Sequence, residues 1–243
     1  GGLNIDNGRQ LFVDDHLIES TNGLVRCWYS PTKLEGPIVH PTADNGVRDG
    51  ACAVATDGGL WWDPTISRFR LWYEDNWAGN MRYAESKDGL AWERPDLGKV
   101  KGTNRVFSDD EMRLDHDLDS WSVWPNYQAA NPYADWKMLV SAPGGTTTDT
   151  LFSSTDGRAF TRLGVAGYSG DRTTLHYDVI LAKWVFSLRD FRGEWCGKGV
   201  GRSRRFHAQD VFAPEKIPYG WERPGNLAKD APTPEMKAPD IWK

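Results

Sequence analysis

The sequence predicts an all-β fold, a β-propeller of four-stranded antiparallel blades, of which the chain holds about three. Three observations point there. Short runs rich in β-branched and aromatic residues are punctuated by Asp-Gly, Asn-Pro and Gly-Gly, and helical periodicity is scarce. A strand–turn–strand layout recurs along the chain with nearly constant internal spacing. Each recurrence follows one further strand that ends on a turn-forming Asp or Asn.

The first unit runs from Arg68 to Tyr73, then Ala84-Glu85-Ser86-Lys87-Asp88-Gly89-Leu90-Ala91-Trp92. The second runs from Asp135 to Val140, then Ser153-Ser154-Thr155-Asp156-Gly157-Arg158-Ala159-Phe160. The third is looser, Lys183 to Ser187, then Gly201-Arg202-Ser203-Arg204-Arg205-Phe206. From leading aromatic to serine the pairs are Phe69 and Ser86, Trp136 and Ser154, Trp184 and Ser203, separations of 17, 18 and 19 residues. The upstream strands Leu60–Asp63, Val123–Asn126 and Leu175–Asp178 complete each unit. Four antiparallel strands per unit make a propeller blade. In Trp61-Trp62 and Trp72-Tyr73, neighbours alternate faces, so one of each pair should pack inward.

The expected organisation is a single partial propeller domain over 1–243. A leading strand spans 10–20, blades span about 51–95, 119–163 and 171–212, and a tail rich in Pro and charge spans 214–243. Propellers contain about four to eight blades. Closing the ring therefore calls for remaining blades from the same chain or a partner chain.

Composition narrows the function classes. The 243 residues carry a net charge of −5, with 26% charged residues, whereas a nucleic-acid binder usually presents a clustered basic face. The one basic cluster, Arg202, Arg204 and Arg205, is interrupted by Ser203 and reads as a solvated strand or turn. No run approaches the ~20 apolar residues that span a bilayer, so no membrane partner is expected. Cys27, Cys52 and Cys196 are odd in number and lack C-x-x-C spacing, which indicates neither a disulfide framework nor a zinc site. Thirteen tryptophans are available for cores or for stacking on ligands.

In a propeller the innermost strand of each blade lines the central channel, so one polar residue per blade can converge on one ligand. Counting back from the turn residues, Asp119 lies seven before Asn126, Asp171 seven before Asp178, and Asp57 six before Asp63. These three aspartates are the catalytic candidates. Like charges around a channel raise at least one pKa, as a general acid requires. Aspartates at strand starts also cap turns, a purely structural role. Arg172, His176, Trp124 and Arg189 are the substrate-binding candidates. Asp115-His116-Asp117-Leu118-Asp119 has the opening spacing of a calcium loop, but Ser120 and Asn126 stand where an EF-hand needs Gly and Glu. No metal is expected, with calcium in another geometry a lesser alternative. Gly197-Lys198-Gly199-Val200-Gly201 lacks the spacing of a phosphate loop and reads as a hairpin.

Ser86-Lys87-Asp88-Gly89-Leu90-Ala91-Trp92 after Phe69-Arg70-Leu71-Trp72-Tyr73 resembles the five-bladed propellers of the glycoside hydrolase superfamily that holds families 32, 43, 68 and 117. Leu11 to Asp15, Asp57 to Pro64, Gly170 to Thr174 and Trp184 to Ser187 resemble uncharacterised bacterial members, frequent in planctomycetes. The likeness runs from about Gln10 to Phe212. It implies five blades and hydrolysis of glycosidic bonds in a polysaccharide or oligosaccharide. It also implies a carbohydrate substrate, no cofactor, and an extracellular or periplasmic location. Asp57 and Asp119 would be base-like or orienting, and Asp171, beside Arg172, would tune charge. The usual acid is a Glu; Glu74 and Glu194 are available but read more simply as rim or solvent residues. The chain departs from the family pattern in lacking Asn-Asp-Pro-Asn-Gly and a Glu-Cys pair, and its Ser-x-Asp-Gly turn is one residue short of the sialidase type. The alternative function is a non-catalytic carbohydrate-binding or interaction propeller.

Overall fold

A computed structural model describes residues 11–42, 52–55, 58–76, 80–113, 120–141, 148–168, 172–190 and 203–214. The chain divides into two compact units, Gly1–Pro37 and Ile38–Lys243. In the first, the strand expected over 10–20 does not form across the described residues 11–20, which are bends and turns. Its aspartates explain why. Asp14 Oδ1 accepts from the His16 amide at 3.0 Å, and the Ile18 amide donates to the Asp15 carbonyl at 3.0 Å. These local bonds fold the backbone back on itself and leave no extended edge to pair.

The second unit holds three successive antiparallel sheets. In the first, β1 (Ala53–Val54) and β2 (Leu60–Asp63) form one interrupted inner edge on β3 (Arg68–Asp75), which pairs with β4 (Asn80–Ser86). The far edge of β4 is also shared, between β5 (Trp92–Glu93) and the segment Asn104–Val106. The Tyr83 amide donates to Asn104 O, and the Val106 amide to Met81 O, each at 3.0 Å. After the short helix α1 (Asp109–Arg113) comes the second sheet, in the order β6 (Ser120–Pro125), β7 (Trp136–Ser141), β8 (Thr148–Ser154), β9 (Thr161–Tyr168). The third is β10 (Thr174–Asp178), β11 (Lys183–Asp190), β12 (Ser203–Gln209), three-stranded among the described residues. Apart from β1 and β2, which share one edge of β3, strands neighbouring in sequence are neighbours in each sheet, the up-and-down order of propeller blades.

The sequence chemistry of the turns is realised in each blade. Asp63 Oδ1 accepts from the Thr65 amide, Asn126 Oδ1 from Gln128, and Asp178 Oδ1 from Ile180 and Leu181, at 2.8–3.0 Å. These Asx turns close the first hairpin of every blade. In the Ser-x-Asp-Gly turns, Ser86 Oγ accepts from the Asp88 and Gly89 amides, and Asp88 Oδ1 from Leu90 and Ala91. Ser154 and Asp156 repeat the pattern with Gly157, Arg158 and Ala159.

The third unit departs from the register that its spacing predicts. Phe69 pairs with Ser86 and Trp136 with Ser154, but Trp184 pairs with Gln209, while Ser203 begins β12. Gln209 does the serine's work differently, its Nε2 donating to the carbonyls of Val211 and Ala213 at 2.8 and 3.3 Å.

The blades pack face to face. Trp72, Met81 and Tyr83 of the first meet Trp121, Val123, Trp136, Met138, Val140 and Phe152 of the second. On its other face, Leu139 and Leu151 meet Leu175, Tyr177, Trp184, Phe186 and Leu188 of the third. This two-sided burial corrects one expectation: Trp72 and Tyr73 are both fully buried, each serving a different face. Trp61 and Trp62 do split as alternation requires, with Trp62 43% exposed.

The second blade's Ser-x-Asp-Gly turn is also an inter-blade clip. Arg70 donates to Asp156 O at 2.5 Å and Trp72 Nε1 to Gly157 O at 3.1 Å. Between the second and third blades, Gln128 Nε2 donates to Asp210 O at 2.5 Å in the same way. Arg158 reaches back to pair with Glu85 on β4, whose Oε1 also accepts from Tyr83 Oη at 2.7 Å. Burial alone would raise the Glu85 pKa. The bonds from Arg158 and Tyr83, with the charges of Arg158 and Arg70, outweigh it and hold the carboxyl below its ordinary 4.5. A depressed carboxyl contributes stability that is complete above its unfolded value and lost as pH falls through the folded one. Urea unfolding of Glu85→Gln should therefore show a flatter loss of stability than the wild type between about pH 5 and pH 3. Parallel slopes would refute this role.

Candidate functional site

The innermost strands of the three blades lie side by side. The Val123 amide donates to Gly58 O at 3.0 Å, Trp61 Nε1 to Val123 O at 2.5 Å, and the Leu175 amide to Ser122 Oγ at 3.1 Å. These bonds hold the three inner strands next to one another, the first blade's inner edge having already begun upstream at β1. Away from the Asx turns the apolar interior gives way to buried polar groups. Glu74, Asp75, Ser120, Ser122, Ser141, Asp149, Thr150 and Thr173 are each at most 1% exposed. Burying polar groups costs free energy unless they are hydrogen-bonded, and the turn end carries its own buried set, with Asp63, Arg70, Glu85 and Ser86.

Register assigns equivalents on the second strands too. Glu74, Ser141 and Arg189 each lie five residues beyond the leading aromatics Phe69, Trp136 and Trp184. Glu74 is not the rim or solvent residue expected: it is 1% exposed, opposite Val54. Alternation along β3 puts it on the face of Arg70 and Trp72, which meets the second blade. Arg189 lies on β11 opposite Arg204. Asp75 beside Glu74 is committed to structure, paired with Arg82 Nε at 2.5 Å and accepting from the Thr42 amide at 3.0 Å and from the Thr42 hydroxyl.

Asp57, Asp119 and Asp171 lie outside the described residues, as do Glu194, Asp115 to Leu118 and the glycines of 197–201. Their immediate neighbours Gly58, Ser120 and Arg172 are described. Arg172 has φ +63°, a left-handed conformation that costs a side-chain-bearing residue about 1–2 kcal/mol. Such local strain is frequent beside functional residues. Ser120 Oγ and Trp121 Nε1 are buried with no hydrogen-bond partner among the described residues.

The structure brings two of the binding candidates together. Trp124 and His176 have ring centroids 6.2 Å apart. Trp61, which sequence reasoning did not select, extends the pair into a row, its ring 4.4 Å from Trp124 and edge-on at 67°. The signal was present in the spacing, since each of the three lies two residues before its blade's turn residue, Asp63, Asn126 or Asp178. All three rings are partly exposed. Burial pushes the His176 pKa below its ordinary 6.5, against the opposing pull of Asp178, so the ring is neutral at pH 7 with one nitrogen free to accept. Among the described residues, no group of three or more His, Cys, Asp or Glu could hold a metal ion, and no helix is long and apolar enough to cross a membrane.

No family model matches the chain, and no curated protein does. Solved structures do. A GH32 β-fructofuranosidase from Bombyx mori, 16% identical, aligns over 71% of this chain and 36% of its own length with a TM-score of 0.45. A glycosyl hydrolase from Bacteroides ovatus, 11% identical, aligns over 63% and 50% with a TM-score of 0.42. A fructofuranosidase from Schwanniomyces occidentalis, 13% identical, aligns over 56% and 29% with a TM-score of 0.41. The chain thus spans under a third of the Schwanniomyces enzyme. At these identities the likeness concerns fold alone.

Proposed function

We propose that this chain supplies blades of a glycoside-hydrolase-type propeller, and that its inner strands handle a polysaccharide or oligosaccharide. The observation that carries the reading is the side-by-side packing of the inner strands of three blades, with an aspartate just ahead of β2, β6 and β10 in sequence. Glycosidic cleavage needs two carboxyl groups flanking the bond. One protonates the glycosidic oxygen as its bond to the anomeric carbon breaks. The other takes a proton from the water that adds to that carbon, or forms the covalent intermediate that water then opens. Asp57 and Asp119 are proposed as the base-like or orienting carboxylates. Asp171 tunes charge beside Arg172, and Arg189 contacts substrate. The 1%-exposed Glu74 is the described glutamate best situated to join them. In this reading the three blades belong to one propeller domain, completed by further blades of the same chain or a partner, and the protein works outside the cytoplasm.

Reducing-sugar release by the whole protein from fructan, arabinan, xylan, glucan and mannan tests the proposal. Release should fall at least about 100-fold in Asp119→Asn and Asp171→Asn. Undiminished release by both variants, or none from the wild type on any glycan, overturns it. The second reading, a binding-only carbohydrate propeller, is favoured by the aromatic row, which needs no acid–base pair to hold a sugar; it predicts binding without release.

A further inference from the structure

We propose that Trp124 and His176, held in place by Trp61, form a subsite for an uncharged hydroxylated ring, a neutral sugar unit, on the inner strands of the first three blades. The inference rests on the carbohydrate reading of the same inner strands, but it concerns binding and not turnover, since the rings lie towards the turn end of each strand, five residues beyond Asp119 and Asp171.

Trp124 is among the described tryptophans whose indole N–H is not tied to the protein, as is the fully buried Trp121. Trp61, Trp72, Trp92, Trp136 and Trp184 each donate to a protein acceptor, at 2.5–3.1 Å. Trp124 Nε1 has no hydrogen-bond partner among the described residues, and neither has the His176 ring. Both are partly exposed, so each keeps a polar handle open beside an aromatic face.

Gly58 runs alongside the Trp124 indole. Gly58 has φ +119°, a conformation side-chain-bearing residues rarely adopt, and a Cβ there would stand 3.5 Å from Trp124 Nε1. The inner strand of the first blade thus passes the indole N–H without placing a side chain over it. Trp61 is a positioning residue. Its own N–H is tied to Val123 O, and its edge abuts the Trp124 ring.

A ring face, a donor and an acceptor in one row match a sugar, whose C–H faces stack on indole while its hydroxyls both donate and accept. The His176 ring, uncharged at pH 7, adds no ionic preference.

The test follows indole N–H resonances of the ¹⁵N-labelled protein as the same neutral glycans, cut to oligosaccharides, are added to about 10 mM, above the ~1 mM Kd of a weak single-ring contact. Trp124→Phe identifies the Trp124 signal by its disappearance and keeps an aromatic ring in place. That signal should shift with at least one oligosaccharide. Trp124→Phe and His176→Gln should each weaken the interaction about 5–10-fold, the worth of one lost hydrogen bond, with the remaining indole signals in their wild-type positions. A panel that leaves the Trp124 signal unmoved overturns the inference. Shifts confined to other indoles overturn it too, while leaving the carbohydrate reading standing. If the Trp124 signal shifts and the Asp→Asn variants still release sugar, the subsite stands and the proposed catalytic roles fall.

Discussion

Replacing Arg70 with alanine is expected to destabilise the protein by about 3–5 kcal/mol, the usual cost of leaving a buried charge without its partner. Asp63 is fully buried, and Arg70 Nε stands 2.9 Å from its Oδ2. The same guanidinium donates to Asp156 O and lies 5.0 Å over the Trp136 ring, both in the next blade. One side chain therefore neutralises a carboxylate within its own blade and clips the following one. Urea unfolding should show a lower midpoint with an unchanged slope. Asp63→Asn in the Arg70→Ala background should recover part of the loss, because the orphaned charge is then gone. A single variant within about 1 kcal/mol of wild type would remove Arg70 from the account of blade packing.

Gly157→Ala should cost about 2–5 kcal/mol, and Gly89→Ala in the matching turn of the preceding blade only about 1–2. The two glycines share a conformation, with φ +68° and +75°. Both substitutions therefore carry the same backbone penalty of about 1–2 kcal/mol. Their surroundings differ. A Cβ on Gly157 would stand 2.5 Å from Arg70 and 3.2 Å from both Trp136 Nε1 and Trp72 Cζ2, whereas one on Gly89 meets only Phe69 at 3.8 Å. The difference isolates inter-blade overpacking, worth about 1–3 kcal/mol. Arg70 cannot yield freely, since it is held by Asp63 and Asp156 O. Thermal unfolding of both variants side by side measures it. Equal losses would mean the turn does not press on its neighbour.

Much of the candidate site could be read from spacing because spacing along a strand is a local property. Trp61, Trp124 and His176 share one spacing, two residues before Asp63, Asn126 and Asp178. Glu74 is buried where its sequence context reads as rim or solvent, because exposure is not local. A carboxylate on a strand suggests solvent until the next blade is known to cover that face.

By itself the sequence determined the elements and the turns. Asp63, Asn126 and Asp178 bend the chain through bonds to residues two or three ahead, and the Ser-x-Asp-Gly turns do the same. Such bonds need no distant partner, so they are encoded where they occur. Tertiary structure alone decided which strands face which. It matched Trp184 with Gln209 instead of Ser203, buried both members of Trp72-Tyr73, and set three inner strands side by side with their rings in a row. Those outcomes depend on hairpin length and on contacts between residues 52–86 positions apart in sequence. Cross-strand register is fixed by such pairing and by no local preference.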